Sequence, residues 1–137
     1  VINYSKEDFA KKVLELTNSK GVSVVYDGVG KTTYDKSIEC LKLSGTMVSF
    51  GNASGPLDPI IVSKSLQPKG LYFVRPARNQ YFTNSEEIQE AASMLFKQIS
   101  SGNVKIEIFK KYKLEDAVQA HKDLEGRKIT GPAVIIP

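Results

Sequence analysis

The segment from Gly21 to Asn52, GVSVVYDGVGKTTYDKSIECLKLSGTMVSFGN, decides the fold because it indicates a strand, a turn, a helix, a turn and a second strand. Two almost continuous apolar runs, over residues 22–26 and 46–50, have the pattern of parallel strands buried on both faces. Between them, Tyr34, Ile38 and Leu41 recur at helical spacing, and Ser44-Gly45 ends the helix. The segment therefore predicts a βαβ unit, whose crossover is right-handed in nearly all proteins.

The two predicted strands end in short turns that are candidate binding elements. The first ends in Asp27-Gly28-Val29-Gly30 and the second in Phe50-Gly51-Asn52. Open α/β sheets bind ligands at the carboxyl ends of their strands. Neither turn has the full G-x-G-x-x-G pattern that places backbone N–H groups on a pyrophosphate. Two interpretations stay open: a tight turn that needs glycine for backbone freedom, or a turn that lies beside a cofactor without gripping its phosphates.

Shorter patterns on either side continue the alternation of strands and helices. We expect a strand over residues 1–4 and then a helix that has Ser5 as its cap. The further predictions are a helical turn over 60–66, a strand over 71–74, a loop over 77–83, a helix from the Asn84 cap to about Ser101, a strand over 104–112, a helix from Leu114 to Gly126 and a strand over 133–136. This order predicts an α/β fold with a mainly parallel sheet.

Composition narrows the class of protein. The 137 residues suffice for one domain with a sizeable core. A net charge of +4 suits an anionic ligand and equally suits an ordinary solvated surface. No apolar run approaches the roughly 18 residues that cross a membrane, and no signal peptide is visible. The single Cys40 excludes an internal disulfide, so we expect a small packed residue in a reducing, cytoplasmic compartment.

Candidates for direct catalysis are few. His121, the only histidine, lies on an apolar helix face with Ala117, Val118 and Leu124, which favours a packed role over a catalytic one. No Ser/His/Asp set can be assembled, and no Cys/His cluster has metal spacing. Catalytic residues therefore stay unassigned, and no metal site is expected.

A basic and aromatic segment offers a function of a different class. Lys105, Lys110, Lys111 and Lys113 are interleaved with Phe109 and Tyr112. Such a surface could bind single-stranded RNA through phosphate contacts and base stacking. The alternative is an amphipathic strand with a solvated face.

Several stretches together resemble one specific family. They are VINY at 1–4, VVYDGVG at 24–30, MVSFGNASG at 47–55 and LYFVRP at 71–76, continued by AHKDLE at 120–125 and GPAVIIP at 131–137. The chain is similar along its whole length to the zeta-crystallin-like NADPH:quinone oxidoreductases of the medium-chain dehydrogenase/reductase superfamily. The resemblance implies a Rossmann-like fold and NADPH-dependent, zinc-independent reduction of quinones or related α,β-unsaturated carbonyls. AU-rich RNA binding is attributed to some members, so the resemblance implies AU-rich sequences for the RNA-binding alternative.

The resemblance also implies which residues meet the cofactor. Tyr4 and Arg127 would lie near the adenosine 2′-phosphate, which an arginine can bind with two parallel hydrogen bonds. The strand from Leu71 to Val74 would be the edge through which two subunits form a homodimer. The nicotinamide side would be formed by Val29, Phe50, Gly51, Asn52, Phe73, Val74 and Arg75.

The chain also departs from this family in one large respect. The family has a catalytic domain, the first two strands of the Rossmann sheet and a Gly-rich phosphate loop ahead of the position of Val1. We therefore expect a partial Rossmann-like fold, in which residues 1–4 form a strand without its usual neighbour. Residues from about 104 to 137 would be closing elements that pack on the missing catalytic domain. These residues alone are expected neither to bind NADPH tightly nor to turn over.

Overall fold

The predicted βαβ unit is present in a computed structural model that describes all 137 residues. The chain divides into two units, Val1–Tyr81 and Phe82–Pro137, where its length alone predicts one domain. The first unit contains α1 (Phe9–Leu16), β1 (Val22–Asp27), α2 (Tyr34–Cys40), β2 (Leu41–Ser49), α3 (Val62–Ser65), a 3-10 turn (Gln67–Lys69), β3 (Tyr72–Val74) and α4 (Arg78–Tyr81). The second unit contains α5 (Ser85–Ser100), β4 (Lys110–Lys113), a 3-10 turn (Leu114–Asp116), α6 (Ala117–Glu125) and β5 (Ala133–Ile136). Every strand pair is parallel, so the mixed α/β class is confirmed.

The sheet of the first unit has three strands in the order β1-β2-β3. The second strand begins at Leu41, earlier than predicted, and the helix before it ends at Cys40. Ser44 and Gly45 therefore lie inside β2 and do not end the helix. Ser44 has a left-handed φ of 55°, and the register changes from Val22 opposite Leu41 to Val24 opposite Thr46. The turn-forming pair produces an irregularity within a strand because the flanking residues still pair with β1.

The core of this sheet covers one face only, so the prediction of strands buried on both faces was wrong. Val25, Met47 and Phe73 are neighbours in register on the packed face, and Met47 is fully buried. On the opposite face, the side chains of Val24 and Tyr26 are 41% and 74% exposed. Successive residues of a strand point to opposite faces. An apolar run therefore does not by itself reveal whether both faces are covered.

The N-terminal residues do not form the predicted strand. The carbonyl of Asn3 accepts hydrogen bonds from the backbone N–H groups of Lys6 and Glu7, which closes a turn. The cap of α1 is Asp8 and not Ser5, because the Asp8 carboxylate accepts from the N–H groups of Ala10 and Lys11 at 3.0 and 3.2 Å. Without a neighbouring strand, local hydrogen bonds decide the path of this segment.

In the second unit, the predicted helix after Asn84 is confirmed. The Asn84 side chain accepts from the N–H of Glu87 at 2.9 Å, and α5 runs to Ser100. The predicted strand over 104–112 is wrong for most of its length, because only Lys110–Lys113 pairs, with β5. Residues 104–109 show the alternating pattern of a strand and lie exposed, but only Phe109 makes a backbone bond toward β5, from its N–H to the carbonyl of Pro132 at 2.8 Å.

The predicted helical turn over 60–66 is confirmed as α3, which leads into a 3-10 turn, whereas the predicted loop over 77–83 contains the short α4. The helix predicted from Leu114 begins as a 3-10 turn and becomes α6 at Ala117. Its inward side carries Ala120 and Asp123, while Val118 and Leu124, 68% and 60% exposed, do not pack. No helix is both long and apolar enough to cross a membrane.

Candidate functional site

The candidate site is the edge of the first unit's sheet at which its three strands end. Because the strands are parallel, the residues that follow β1, β2 and β3 meet at this edge. The turn of residues 28–30 follows β1, the loop of residues 50–55 follows β2, and Arg75 follows β3. We call the first the β1 turn and the second the β2 loop.

Backbone hydrogen bonds join the β1 turn to the β2 loop. The N–H of Phe50 donates to the carbonyl of Asp27 at 2.9 Å, which extends the pairing of β1 and β2 by one bond. Beyond it, the N–H of Ser54 donates to the carbonyl of Val29 at 2.7 Å, and the Ser54 hydroxyl donates to the same carbonyl at 2.8 Å. The two segments therefore form one unit of structure and not two independent loops.

Glycine is required where the two segments touch. A Cβ placed on Gly51 would clash with the carbonyl oxygen of Gly28 and lie 2.8 Å from its Cα. Gly30 has a φ of 91°, which residues with a side chain rarely adopt. Of the two interpretations of these glycines, the tight turn that requires glycine agrees with this geometry. A role beside a cofactor is compatible with the same geometry.

Asp27 anchors the β1 turn through hydrogen bonds to its side-chain carboxylate. One carboxylate oxygen accepts from the N–H groups of Val29 and Gly30 at 2.8 and 2.9 Å. The other oxygen accepts from the hydroxyls of Thr33 and Ser37, both at 2.8 Å. Burial raises the pKa of Asp27, but the hydrogen bonds from Gly30, Thr33, Ser37 and Val29 outweigh it, so the pKa lies below its usual value. The residue is therefore an ionised, buried carboxylate whose four donors are all neutral.

Arg75 joins the end of β3 to the β2 loop. Its Nη1 donates to the Ser49 hydroxyl at 2.7 Å and to the Gly51 carbonyl at 3.2 Å. Ser49 is fully buried, whereas Phe50 beside it is 57% exposed and its ring lies close to Gly28. Arg75 also lines an apolar recess of about 270 Å³ with Asn52, Pro56, Leu57, Ile60 and Phe73. The edge thus offers an exposed aromatic ring, a guanidinium and an amide next to one another.

Seven of the nine residues implied as cofactor contacts are at this edge or lead into it: Val29, Phe50, Gly51, Asn52, Phe73, Val74 and Arg75. Among them, Phe73 packs inward against Tyr34, with ring centroids 6.3 Å apart. Tyr4 lies in the same unit and lines an apolar pocket of about 280 Å³ with Val29 and Phe9. Arg127 belongs to the second unit, where it follows α6 with a φ of 55°. Their roles toward a 2′-phosphate stay predictions.

Sequence reasoning missed the polar residues that hold this edge together. Thr33 and Ser37 lie six and ten positions after Asp27, so their side chains reach the same carboxylate from the start of α2. Ser49 and Ser54 belong to the MVSFGNASG motif at 47–55, which by itself does not indicate their hydrogen bonds. A signal was present, because hydroxyl residues near a strand-end aspartate commonly hydrogen-bond to it or to the turn.

The second unit contains a different polar cluster, centred on Asp123. This buried carboxylate accepts from the Tyr112 hydroxyl and from Gln119 Nε2, both at 2.8 Å, and from Lys110 Nζ at 3.1 Å. The hydrogen bonds from Tyr112, Gln119 and Lys110 lower its pKa to about 2. The cluster ties α6 to β4.

This cluster also changes the interpretation of the basic and aromatic segment. Tyr112 is buried at 6% exposure, and Lys110 is bound to Asp123 with its ammonium 4.5 Å from the Tyr112 ring centre. Lys113 pairs with Glu115 at 3.3 Å. Of the two aromatic side chains, only Phe109 is exposed for base stacking. The structure therefore gives the RNA-binding hypothesis no support.

His121 is exposed, whereas Cys40 is buried. His121 is exposed and lines an apolar pocket of about 270 Å³, so the expectation of a packed histidine was wrong. Its side of α6 is not covered, because the helix turns Ala120 and Asp123 inward. Cys40 is buried, and burial raises the pKa of its thiol. The structure contains no group of three or more His, Cys, Asp or Glu side chains placed to hold a metal ion.

Comparison with known proteins places this arrangement in a class and then in a family. The parallel strands with binding elements at their carboxyl ends have the Rossmann-like form of nucleotide-binding domains. The family described as zinc-binding dehydrogenase matches residues 1–135, and the chain belongs to that family.

Individual relatives agree with this assignment. The chain is 44% identical over its whole length to a quinone oxidoreductase of Salmonella typhimurium, of which it covers 42%. It is 42% identical over 99% of its length to a 2-haloacrylate reductase of a Burkholderia species, covering 41% of that protein. The crystal structure of Escherichia coli quinone oxidoreductase complexed with NADPH superposes with a TM-score of 0.91 at 42% identity, covering the whole chain and 43% of that structure. The chain thus spans less than half the length of these relatives.

Proposed function

We propose that the chain forms the nicotinamide-side part of an NADPH site in an enzyme that reduces quinones or α,β-unsaturated carbonyls by hydride transfer without zinc. The observation that carries the proposal is the joined edge at which the β1 turn, the β2 loop and Arg75 meet. Support also comes from the relatives, one of which binds NADPH and two of which are described as reductases of a quinone and of an unsaturated acid. We further propose a cytoplasmic location.

The residues present suit a nicotinamide ring. Gly28 and Gly51 are in backbone contact and the Phe50 ring lies against Gly28, so a flat ring would stack on the exposed side of Phe50. Phe50 offers an exposed apolar face, and Asn52 offers both a donor and an acceptor for a carboxamide. NADPH, when bound, would supply the hydride, while these residues would bind and orient the ring. No side chain at this edge is assigned as an acid or base.

Arg127 would contact the adenosine 2′-phosphate of the cofactor. A guanidinium recognises a phosphate through two parallel hydrogen bonds, which favours NADPH over NADH. In the full-length protein that carries these residues, Arg127→Ala should weaken NADPH binding roughly tenfold or more while leaving NADH binding nearly unchanged. Fluorescence titration with each nucleotide measures both constants.

The neighbouring Lys128 provides the matched control, because its side chain is 72% exposed and carries the same charge. Lys128→Ala should leave the preference for NADPH intact. If the full-length protein neither binds NADPH nor oxidises it in the presence of a quinone, the proposed function is wrong. If Arg127→Ala lowers the affinity for both nucleotides equally, the assignment of Arg127 is wrong.

The isolated chain should behave differently from the full-length protein. These 137 residues lack a Gly-rich phosphate loop, which normally provides the N–H groups for the pyrophosphate. We expect the isolated chain to bind NADPH only weakly and to show no quinone-dependent oxidation. Micromolar binding with turnover by the isolated chain would contradict this expectation.

The second unit would supply closing elements that pack on a catalytic domain. Support comes from its uncovered apolar residues, since Val118 and Leu124 are exposed on α6 and Ile136 is 46% exposed on β5. Unpartnered apolar surface of this kind is typical of a face that another element covers. In the full-length protein, hydrogen exchange at α6 should be slower than in the isolated chain, and equal rates would contradict the proposal.

A homodimer through β3 is a further part of the proposal. This strand lies at the end of the sheet order and pairs only with β2, so its outer edge has free ladder groups. Tyr72→Pro removes a backbone donor and should produce monomers in analytical sedimentation. Tyr72→Thr, which keeps the N–H, is the control and should remain dimeric. A dimeric Tyr72→Pro variant would exclude this edge as the interface.

A further inference from the structure

Asp27, which anchors the β1 turn, is one of the most extensively hydrogen-bonded side chains of the first unit. It is 5% exposed and accepts four hydrogen bonds, two from backbone N–H groups and two from hydroxyls. Burying a carboxylate is unfavourable unless such donors replace its hydration. A carboxylate held in this way at the end of β1 therefore leaves the backbone around it little conformational freedom.

The hydrogen bonds of Asp27 hold two different segments in place. The N–H groups of Val29 and Gly30 fix the β1 turn, while the hydroxyls of Thr33 and Ser37 fix that turn against the first residues of α2. Asp27 therefore sets where the carbonyl of Val29 points. That carbonyl accepts both bonds from Ser54, so the position of the β2 loop depends on it.

We propose that Asp27 is a positioning residue that holds the β1 turn and, through the carbonyl of Val29, the β2 loop in the arrangement that orients the nicotinamide ring. This inference rests on the proposed function. Asp27 lies beneath the turn, so it acts through the backbone of Val29 and Gly30 and through Ser54 and not by contact with the substrate.

The proposal predicts a specific split between catalysis and binding. A misplacement of about 1 Å at a reacting centre can cost on the order of 100-fold in rate. On the proposed function, the phosphates of NADPH would be held away from this edge, so the affinity for NADPH would depend little on the β1 turn. In the full-length protein, Asp27→Ala should therefore lower kcat about ten- to hundredfold while the Kd for NADPH changes less than about threefold.

Two further variants separate positioning from folding. Asp27→Asn keeps the shape of the side chain and can still accept from the two N–H groups, so it should recover most of the lost kcat. Ser54→Ala removes the hydroxyl bond to Val29 from the other side and should lower kcat in the same direction by a smaller factor. Asp35→Asn changes an exposed carboxylate in the first turn of α2 and is the matched control, with unchanged kcat.

Each variant is assayed for kcat with a quinone, for the Kd of NADPH and for the number of NADPH molecules bound per chain. The inference is supported if kcat falls in Asp27→Ala and Ser54→Ala while binding stoichiometry stays near wild type. It is overturned if kcat is unchanged, or if kcat and stoichiometry fall together in Asp27→Asn and Ser54→Ala, which indicates a folding role only. Loss of NADPH binding by the wild-type protein would instead reject the proposed function.

Discussion

Asp27 and Asp123 are both buried carboxylates with lowered pKa values, but they are held by different kinds of donor. Asp27 in the first unit accepts from two backbone N–H groups and two hydroxyls, all within ten residues of itself. Asp123 in the second unit accepts only from the side chains of Tyr112, Gln119 and Lys110, including one ammonium. Donors on the backbone fix the path of a turn, whereas donors on side chains dock one element on another. The first arrangement suits a binding edge and the second suits a structural contact.

The largest effect should come from the backbone contact of the first unit. Gly51→Ala places a Cβ against the Gly28 carbonyl, and backbone cannot move aside as a flexible side chain does. We expect a loss of about 3 kcal/mol in the free energy of unfolding, measured by chemical denaturation, with faster hydrogen exchange in β1 and β2. Gly70→Asn is the control, because a Cβ there meets nothing within 4 Å and asparagine tolerates its φ of 58°. An equally stable Gly51→Ala variant would show that the two segments are not in close contact.

Lys69 tests whether a charged side chain of the first unit stabilises the fold by donating to backbone carbonyls. Lys69 Nζ donates to the carbonyls of Glu39 and Leu41 at 2.8 and 2.7 Å, where α2 ends and β2 begins. Hydrogen bonds from charged groups are the stronger ones, so Lys69→Met should cost about 1–2 kcal/mol of unfolding free energy in the same denaturation assay. Lys64→Met, on an exposed side chain of α3, should cost less than about 0.5 kcal/mol. Equal losses of unfolding free energy in the two variants would show that the bonds from Lys69 to the backbone do not stabilise the first unit.

Acid should affect the second unit through Asp123. Its pKa of about 2 in the folded chain lies below the ordinary value of 3.8. The stabilisation is therefore complete above 3.8 and is lost as the pH falls toward 2. Asp123→Asn should remove this part of the acid dependence, as followed by hydrogen exchange of β4 and α6 across that range. Asp116→Asn, an exposed carboxylate, should keep it, and an unchanged acid profile in Asp123→Asn would contradict the assignment.

The smallest effect should come from the outermost cation of the same cluster. Lys128 Nζ lies 3.8 Å from Asp123, and its side chain is 72% exposed. Exposed pairs contribute little, so Lys128→Gln should change the unfolding free energy by less than about 0.5 kcal/mol. Lys110→Gln, at 3.1 Å and half exposed, should have the larger effect. A larger loss of unfolding free energy in Lys128→Gln than in Lys110→Gln would mean that distance and exposure do not determine the strength of these two contacts.

Sequence reasoning succeeded where local chemistry and tertiary structure agree. The cap at Asn84 with Glu87 located α5 correctly, because a capping side chain and its N–H partner are three residues apart. It failed for residues 104–108, whose alternation matches a strand but which pair with no other strand, and for residues 1–4. Of the candidate site, the turn residues and the hydroxyls around Asp27 were predictable from local spacing, whereas the bonds from Ser54 to Val29 and from Arg75 to Ser49 join residues far apart in sequence and were not.

The sequence by itself determined the βαβ unit, its parallel strands and the strand-end turns, because these follow from apolar periodicity and short glycine-containing motifs. The family followed from similarity along the whole chain. Only the tertiary structure decided that one sheet face is left open, that Gly51 meets Gly28, and that four donors converge on Asp27. The physical reason is that periodicity records which residues can be buried, while exposure and hydrogen bonds depend on which neighbours are present in space.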